Sequence, residues 1–215
     1  MKKLFIVGSG GFGREVLWLA KRINEVQKTW DIQGFIDDNE TLHGSMQDNY
    51  PIIGGCDYLE KLNEDAYVVI AIGCARVKRT VAERLSQYGN IHFATLIDPL
   101  VILSDRIKIG EGSIICAGTI MTVDIAIGKH VIINLDCTVG HDDVIGDYVT
   151  VYPSVNISGN VTVGNESELG TGSQIIQGKT IGQQSIIGAG SVVIRDIPDK
   201  CTAVGSPAKP IKFFE

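Results

Sequence analysis

The sequence lacks the features that mark membrane-spanning, secreted and nucleic-acid-binding proteins. No apolar run approaches the roughly 18–20 residues that a membrane span needs. Basic residues are outnumbered, with 19 Lys and Arg against 25 Asp and Glu, which gives a net charge of −6. An acidic chain has no general attraction to phosphate backbones or anionic lipid. We therefore expect neither a nucleic acid nor a membrane as a partner.

Cysteine is scarce and unpaired in the sequence. The five cysteines are scattered, and none forms a CxxC pair. An odd number without paired spacing indicates neither a disulfide framework nor a zinc site. We expect no metal and a reducing, cytoplasmic location.

The chain from about residue 97 onward follows a six-residue period. Fifteen positions spaced by six are all aliphatic. Five glycines that directly follow such positions are spaced by 18 residues, at 110, 128, 146, 164 and 182. The fifteen aliphatic residues are Ile109, Ile115, Met121, Ile127, Ile133, Val139, Ile145, Val151, Ile157, Val163, Leu169, Ile175, Ile181, Ile187 and Val193.

This period excludes a helix and favours a coil of short strands. An α-helix cannot hold a column of residues six apart on one face, because its own period is 3.6 residues. Three short strands per turn make a triangular prism in which 18 residues complete one coil. The pattern predicts a hexapeptide parallel β-helix whose interior is filled by the stacked aliphatic residues. We expect glycine and small residues to permit its tight corners.

The first half has a different pattern. A predicted strand, Lys3–Val7, leads into Gly8-Ser9-Gly10-Gly11-Phe12-Gly13, and residues 14–23 have the spacing of an amphipathic helix. Further strands are predicted at 32–36 and 67–72, and a further helix at 80–88. The alternation predicts a small Rossmann-like parallel sheet covered by helices. We place this domain at residues 1–95 and the β-helix at 96–215.

The GxGxxG loop indicates a ligand site at the start of the first helix. Backbone amides at a helix N-terminus favour phosphate, and acidic residues follow about 24 positions after Gly13. A full dinucleotide fold needs two mononucleotide halves, and the 95 residues before the repeat suit a single half. A nucleotide-linked sugar is the favoured ligand. A dinucleotide, or glycines that serve only the turn, are the alternatives.

One rung of the repeat is unusually polar, with His141, Asp142 and Asp143 in succession. The fifth position of each hexapeptide is normally small or aliphatic, and Asp143 departs from that rule. His141 occupies the third position, which faces outward. A histidine titrates near neutral pH and suits a general base, and an adjacent carboxylate is able to select its tautomer. We expect a site on the flank of the prism, whereas Cys137 occupies an inward position and is assigned to the core.

These motifs resemble those of the hexapeptide-repeat acyltransferase superfamily. The repeats and the ending Val204–Lys209 are similar to that superfamily, which implies a left-handed coil, acetyl-CoA as the acyl donor and a homotrimer. The glycine loop, Asp37-Asp38, Gly73, Asn134 and the segment 140–147 resemble the sugar N- and O-acetyltransferases within it. Relatives often carry histidine where this chain has Phe12, and glutamate where it has Asp142.

The resemblance implies roles for individual residues. His141 would be the general base, and Asp142 would increase its basicity. Active sites would lie between subunits. The nucleotide sugar would be held by Gly10, Gly11, Phe12, Asp37, Asp38, Gly73 and Asn134, and coenzyme A by a groove near Thr150, Gly159, Thr171 and Ala189.

The implied reaction is acetyl transfer from acetyl-CoA to the 4-amino group of a nucleotide-linked 4-amino-4,6-dideoxy sugar, in the synthesis of surface-glycan precursors. The alternatives are O-acetylation of sialic acid or another sugar, O-acetylation of an amino acid such as serine, and a nucleotide-sugar-binding module without activity.

Overall fold

The structure is a computed structural model that describes residues 1–215, and it consists of two differently built parts. The first part contains three α-helices, none of which is long and apolar enough to cross a membrane. It also contains a 3-10 helix, Glu40–Leu42. The helices are α1 Gly11–Val26, α2 Cys56–Glu60 and α3 Ala75–Leu85, and the strands are β1 Lys2–Val7, β2 Trp30–Ile36, β3 Met46–Gln47, β4 Tyr50–Gly54, β5 Ala66–Ile70 and β6 Ile91–Phe93.

These six strands form one sheet in the order β3-β4-β2-β1-β5-β6. All neighbours are parallel except β3 and β4, which form an antiparallel hairpin. The predicted Rossmann-like parallel sheet is confirmed. The pattern did not predict β3, β4, α2 or β6, because each is short and β4 contains Pro51, which favours a turn or an edge.

The second part is a parallel β-helix of two-residue strands. Its strands are β7 Leu96–Ile97, β8 Ile102–Leu103, β9 Lys108–Ile109, β10 Ile114–Ile115, β11 Ile120–Met121, β12 Ala126–Ile127, β13 Ile132–Ile133, β14 Thr138–Val139, β15 Val144–Ile145, β16 Thr150–Val151, β17 Asn156–Ile157, β18 Thr162–Val163, β19 Glu168–Leu169, β20 Gln174–Ile175, β21 Thr180–Ile181, β22 Ile186–Ile187 and β23 Val192–Val193. A closing hairpin follows, β24 Cys201–Val204 and β25 Lys209–Phe213.

Each strand pairs in parallel with the strand 18 residues further on, so that three faces arise. Face one is the sheet from β7 to β25, face two is the sheet from β8 to β23, and face three is the sheet from β9 to β21. The second residue of almost every strand points inward. The predicted aliphatic column is confirmed, because fourteen of its fifteen members are buried and Ile109 packs against them.

The corners follow the expectation that glycine and small residues permit their turns only in part. Five of the corner residues with a positive φ are glycines, at 112, 118, 172, 178 and 190. The residue with a positive φ is the fourth of each hexapeptide, and it is often Asp, Asn or another polar residue, including Asp142 at φ 62°. The glycines at the second position have another role. A Cβ on Gly140 would lie 2.5 Å from the backbone nitrogen of Gly159 on the next coil. Glycine is required there because successive coils approach closely.

The two parts pack against each other through face one. The outward residues of β10 and β13, Ile114 and Ile132, are buried in the same cluster as Val16 and Leu17 of α1. The salt bridge between Arg22 and Asp98, at 2.7 Å, lies at the same junction. The first part is therefore fixed to one face of the prism, and the other two faces remain uncovered by it.

Candidate active site

His141 and Asp142 form a solvent-exposed pair at the corner between faces two and three. Nδ1 of His141 lies 2.8 Å from Oδ2 of Asp142, and the His141 side chain is 63% exposed. A carboxylate accepts a hydrogen bond, so Nδ1 carries the proton and Nε2 is left as the basic nitrogen. The contact that sequence adjacency did not guarantee is thus present.

The imidazole of His141 lies against the backbone of the next coil. A Cβ placed on Gly159 would be 2.5 Å from Nε2, so any side chain there would displace the ring. The amide of Asn160 donates to the carbonyl of His141 at 2.7 Å. The structure therefore brings Gly159, predicted at the coenzyme, directly beside the predicted base.

Asp143 points into the prism, contrary to the expectation that all three polar residues of this rung form a flank site. Its side chain is fully buried. Oδ1 accepts from the amide of Val161 at 2.7 Å, and Oδ2 accepts from the amide of Gly140 at 3.0 Å. Burial raises the pKa of Asp143 to about 7, although these two hydrogen bonds oppose the shift.

The glycine loop opens onto a cleft at the start of α1. The cleft has a volume of about 680 Å³ and is lined by Ser9, Gly10, Gly11, Arg14, Met46, Gln47 and Asp48. Gly10 occupies the N-cap and has no neighbour within 4 Å of its Cβ position. Gly13 has a packing role, because its Cβ would collide with the carbonyl of Gly8. The Phe12 side chain packs towards the core, so its backbone amide is the group left for a ligand.

The two predicted acidic residues support loops around this cleft. Asp37 Oδ2 accepts from the amide and the hydroxyl of Ser9, at 3.0 and 2.6 Å. Burial would raise the pKa of Asp37, but hydrogen bonds from Ser9 and Asn39 outweigh it and lower the pKa. Asp38 Oδ1 accepts from the amide of Cys56 at 2.7 Å. Asp37 is therefore beside the glycine loop, while Asp38 holds the start of α2.

Thr150 lies in the junction between the two parts and not on an open groove. Its side chain is 1% exposed, and its hydroxyl donates to the carbonyl of Gly73 at 2.7 Å. Lys78 of α3 donates to the same hydroxyl at 2.8 Å. Gly73 is thus anchored to face one. Thr150 has no exposed hydroxyl to offer to coenzyme A, because α3 covers this part of the face.

The sequence analysis did not identify three further residues of this junction, Lys78, Tyr152 and Glu168. Glu168 accepts from the amide of Ala75 at 3.0 Å and from the hydroxyl of Tyr152 at 3.2 Å. Lys78 is buried, and burial lowers its pKa to about 7 even though Glu168 opposes the shift. The sequence offered little signal for Lys78, since it precedes the predicted helix at 80–88.

The remaining predicted residues lie on another edge. Asn134, Thr171 and Ala189 occupy the edge between faces one and two, where the amide of Gly190 donates to the carbonyl of Thr171 at 2.8 Å. Asn134 is nearly buried and accepts from the amide of Leu135 at 2.7 Å. His141 and Gly159 lie on the edge beyond face two. A single chain therefore does not bring the whole predicted set together.

Other reactive side chains are unsuited to chemistry here. Cys137 is buried, as expected, and burial raises the pKa of its thiol to about 11. His130 is buried and stacked on Tyr148, with ring centroids 5.3 Å apart, and burial lowers its pKa to about 4. No cluster of three or more His, Cys, Asp or Glu side chains is arranged to hold a metal ion. The exposed histidines are left as candidates for proton transfer. His43 and His92 use Nε2 to contact the Asp37 carbonyl and Asp65, whereas Nε2 of His141 has no protein partner.

A small Rossmann-like domain joined to a hexapeptide β-helix with an exposed histidine–carboxylate pair defines a protein of hexapeptide-repeat acyltransferase architecture. Comparisons with known proteins agree. The family described as PglD N-terminal domain matches residues 3–85. A curated relative from Bacillus subtilis (strain 168), UDP-N-acetylbacillosamine N-acetyltransferase, is 39% identical over 118 residues. That alignment covers 54% of this chain and 52% of the relative, about half of each protein.

Solved structures match over nearly the whole chain. The acetyltransferase domain of PglB from Neisseria gonorrhoeae FA1090 has a TM-score of 0.89 and 31% identity, and the match covers 98% of this chain and 100% of that domain. A mutant of perosamine N-acetyltransferase from Caulobacter crescentus, in complex with CoA and GDP-perosamine, has a TM-score of 0.89 and 28% identity, with 99% and 98% coverage. The chain belongs to the hexapeptide-repeat sugar acetyltransferase family.

Proposed function

We propose that the protein transfers an acetyl group from acetyl-CoA to the 4-amino group of a nucleotide-linked 4-amino-4,6-dideoxy sugar. The observation that carries the proposal is the exposed His141–Asp142 pair, whose Nε2 is free to take a proton. Two similar proteins are named as N-acetyltransferases, one of a UDP-linked sugar and one of perosamine. Their names support an amino sugar as the acceptor.

The reaction needs one base and no covalent enzyme intermediate. The amine nitrogen attacks the thioester carbonyl while Nε2 of His141 takes the amine proton. The imidazolium then returns this proton to the departing thiolate, so charge and protons balance. Asp142 stabilises the imidazolium through Nδ1. Such general-base assistance contributes roughly 10²–10⁴-fold to the rate.

The first part of the chain would bind the nucleotide. Open backbone amides at Gly10, Gly11 and Phe12 lie at the N-terminus of α1, where a diphosphate is favoured. Arg14 lines the same cleft and adds positive charge. Asp37 and Gly73 border this end of the sheet through β2 and β5.

Acetyl-CoA would be bound where two subunits meet. Gly159 lies beside His141, whereas Thr171 and Ala189 lie on a different edge of the prism. A homotrimer would place the edge of one subunit against the face of another and bring these groups together. Apolar side chains exposed on face two, among them Ile102 and Ile120, support such an interface. A cytoplasmic location and a role in surface-glycan precursors belong to the same proposal.

The proposal is tested by acetyl transfer to a panel of acceptors. Purified protein is mixed with acetyl-CoA and UDP-, GDP- or dTDP-linked 4-amino sugars, and thiol release is followed with mass analysis of each product. The matched 4-hydroxy sugars serve as controls, because they lack the amine. We expect one 4-amino sugar to gain an acetyl group. Transfer only to N-acetylneuraminate or serine would replace the proposal with O-acetylation, and sugar binding without turnover would indicate a binding module.

A further inference from the structure

Asp143 is the only carboxylate among the inward fifth positions of the β-helix. In other coils this position is aliphatic, or it holds a small hydroxyl or thiol side chain or Lys179. The corner positions directly above and below it are Ile125 and Val161, which are buried and apolar. A buried carboxylate in such surroundings destabilises a fold unless its hydrogen bonds offset the loss of hydration. Its presence in the rung of His141 therefore needs a reason other than core packing.

The hydrogen bonds of Asp143 differ from those of the serines at this position. None of these serines accepts from an amide of its own turn, although Ser185 donates to the carbonyl of Gln183 there. Ser113 donates to the carbonyl of Gly128 and accepts from the amide of Val131, both at 3.0 Å. Ser113 therefore contacts only the next coil. Asp143 has two acceptor oxygens and reaches two places, the amide of Val161 on the next coil and the amide of Gly140 on its own turn.

The carboxylate thus closes the turn that carries the histidine. Gly140 and Asp143 flank His141 and Asp142. The amide of Gly140 donates at 3.0 Å both to Oδ2 of Asp143 and to the carbonyl of Ile157 on the next coil. The second bond, 2.7 Å to Val161, ties the same turn to the segment that contains Gly159. Gly159 is the backbone on which the imidazole rests. We infer that Asp143 is a positioning residue, which holds the His141 ring over Gly159 in the orientation needed for proton transfer.

The electrostatic setting agrees with this role. The titratable groups that act on the Asp143 carboxyl are His141 and Asp142, both on its own turn. His141 favours the ionised form and Asp142 disfavours it. The inference rests on the proposed function for its kinetic consequence, whereas the placement of the ring is independent of it.

The kinetic test compares substitutions at two equivalent inward positions. Asp143→Asn keeps an acceptor for Val161 but presents an NH₂ group to the amide of Gly140, so that the turn-closing bond is lost. Asp143→Ser provides a single oxygen, as in other coils. We expect both variants to lose about tenfold or more in kcat with KM for both substrates unchanged, since small displacements of a catalytic group are costly. Neither variant should lower Tm, because a buried carboxylate is removed. Ser113→Ala is the matched control and should lower Tm without changing kcat.

Crystal structures of the same variants provide a readout that does not depend on activity. We expect the His141 ring to leave Gly159 or to adopt more than one orientation in Asp143→Asn, and to stay in place in Ser113→Ala. An unmoved ring, or a kcat within twofold of the unsubstituted protein, would overturn the inference. If the unsubstituted protein transfers no acetyl group, the proposed function fails, while the ring position still decides the role of Asp143.

Discussion

Two histidines of this chain lie beside an aspartate carboxylate on the surface, and their surroundings distinguish them. A third, His43, contacts the backbone carbonyl of Asp37 through Nε2 at 2.7 Å. His92 Nε2 is 3.2 Å from Asp65 at the sheet of the first part, in contact with Tyr67. His141 meets Asp142 through Nδ1 and projects from a corner of the β-helix. Only the second pair has its Nε2 free of a protein partner. The difference is one of geometry, because the residue types are the same.

This difference predicts the effect of removing each imidazole. His141→Ala should lower kcat by roughly 10²–10⁴-fold, the usual contribution of a general base. The fold should be unaffected, because the side chain is exposed and leaves no cavity. His92→Ala, which also removes an exposed histidine paired with an aspartate, should leave kcat unchanged. Steady-state rates and thermal unfolding of both variants check this, and a near-normal rate for His141→Ala would refute the role of the base.

Residue-scale reasoning from sequence succeeded where neighbours in the chain are also neighbours in space. The outward position of His141 and the inward position of Cys137 both follow from their places in the hexapeptide, and the adjacency of His141 and Asp142 makes their contact possible. Asp143 was misplaced, because its partner Val161 lies 18 residues away on the next coil. Whether a carboxylate at a corner points inward or outward depends on the next coil. Asp143 points inward because the amide of Val161 on that coil needs an acceptor.

At the scale of elements, α3 and face one are joined by a buried amine. Lys78 donates to the carbonyl of Val149 at 3.2 Å and to the hydroxyl of Thr150 at 2.8 Å. No carboxylate forms a salt bridge with it, and Glu168 acts only at longer range. The folded protein therefore disfavours the charged form of Lys78, which the unfolded chain readily adopts.

Because the charged form is disfavoured, Lys78→Met should increase the free energy of unfolding by an amount that depends on pH. Methionine keeps the length of the side chain. The folded pKa, about 7, lies below the unfolded value of 10.5, so the unfolded state binds more protons between these values. Stability from this group is therefore lowest below pH 7 and rises as the pH increases towards 10.5. Lys78→Met should be more stable than the unsubstituted protein at pH 6 by a few kcal/mol at most, with the gain shrinking towards pH 10.

Denaturant unfolding at several pH values measures this gain. Lys28→Met is the control, because Lys28 is exposed and makes no hydrogen bond or salt bridge. Its effect on the free energy of unfolding should be small and independent of pH. A Lys78→Met variant that loses stability equally at pH 6 and pH 10 would show that the two hydrogen bonds of the amine, and not its desolvation, dominate.

Element-scale patterns were predicted best where they repeat. The six-residue column specifies the β-helix many times over, so a single unusual rung does not obscure it. Short elements such as β6 and α2 were missed, since three to five residues carry too little periodicity. Their formation depends on contacts with the adjacent sheet.

At the scale of the whole molecule, face two has apolar groups without a partner in one chain. Ile102 is 64% exposed and Ile120 is 41% exposed, and they lie on paired strands β8 and β11. Contiguous exposed apolar surface of this kind marks an interface. The positions of the predicted coenzyme residues also favour an interface between subunits. Gly159 lies on one edge of the prism, and Thr171 and Ala189 lie on another.

The trimer proposal predicts that a charge on face two separates the subunits and abolishes activity. The expected mass in light scattering is three times 23.2 kDa for the unsubstituted protein and 23.2 kDa for Ile120→Asp. Val26→Asp places the same charge at a residue that is 75% exposed at the end of α1, and it should keep the assembly and the rate. An active monomer of the unsubstituted protein would contradict the proposal that the sites lie between subunits.

The sequence by itself determined the two-part architecture and the polar rung that carries the histidine. Both follow from short-range sequence patterns. These are the period of six, the strand followed by GxGxxG, and the adjacency of His141 and Asp142. The tertiary structure alone decided that Thr150 is buried beneath Lys78, that Gly159 supports the imidazole and that Asp143 closes the turn from within. These relations join residues on different coils or different domains, as in the bond between Thr150 and Gly73, 77 positions apart. No local pattern predicts a contact between residues so far apart in the sequence, because the contact depends on how the sheet packs on the prism.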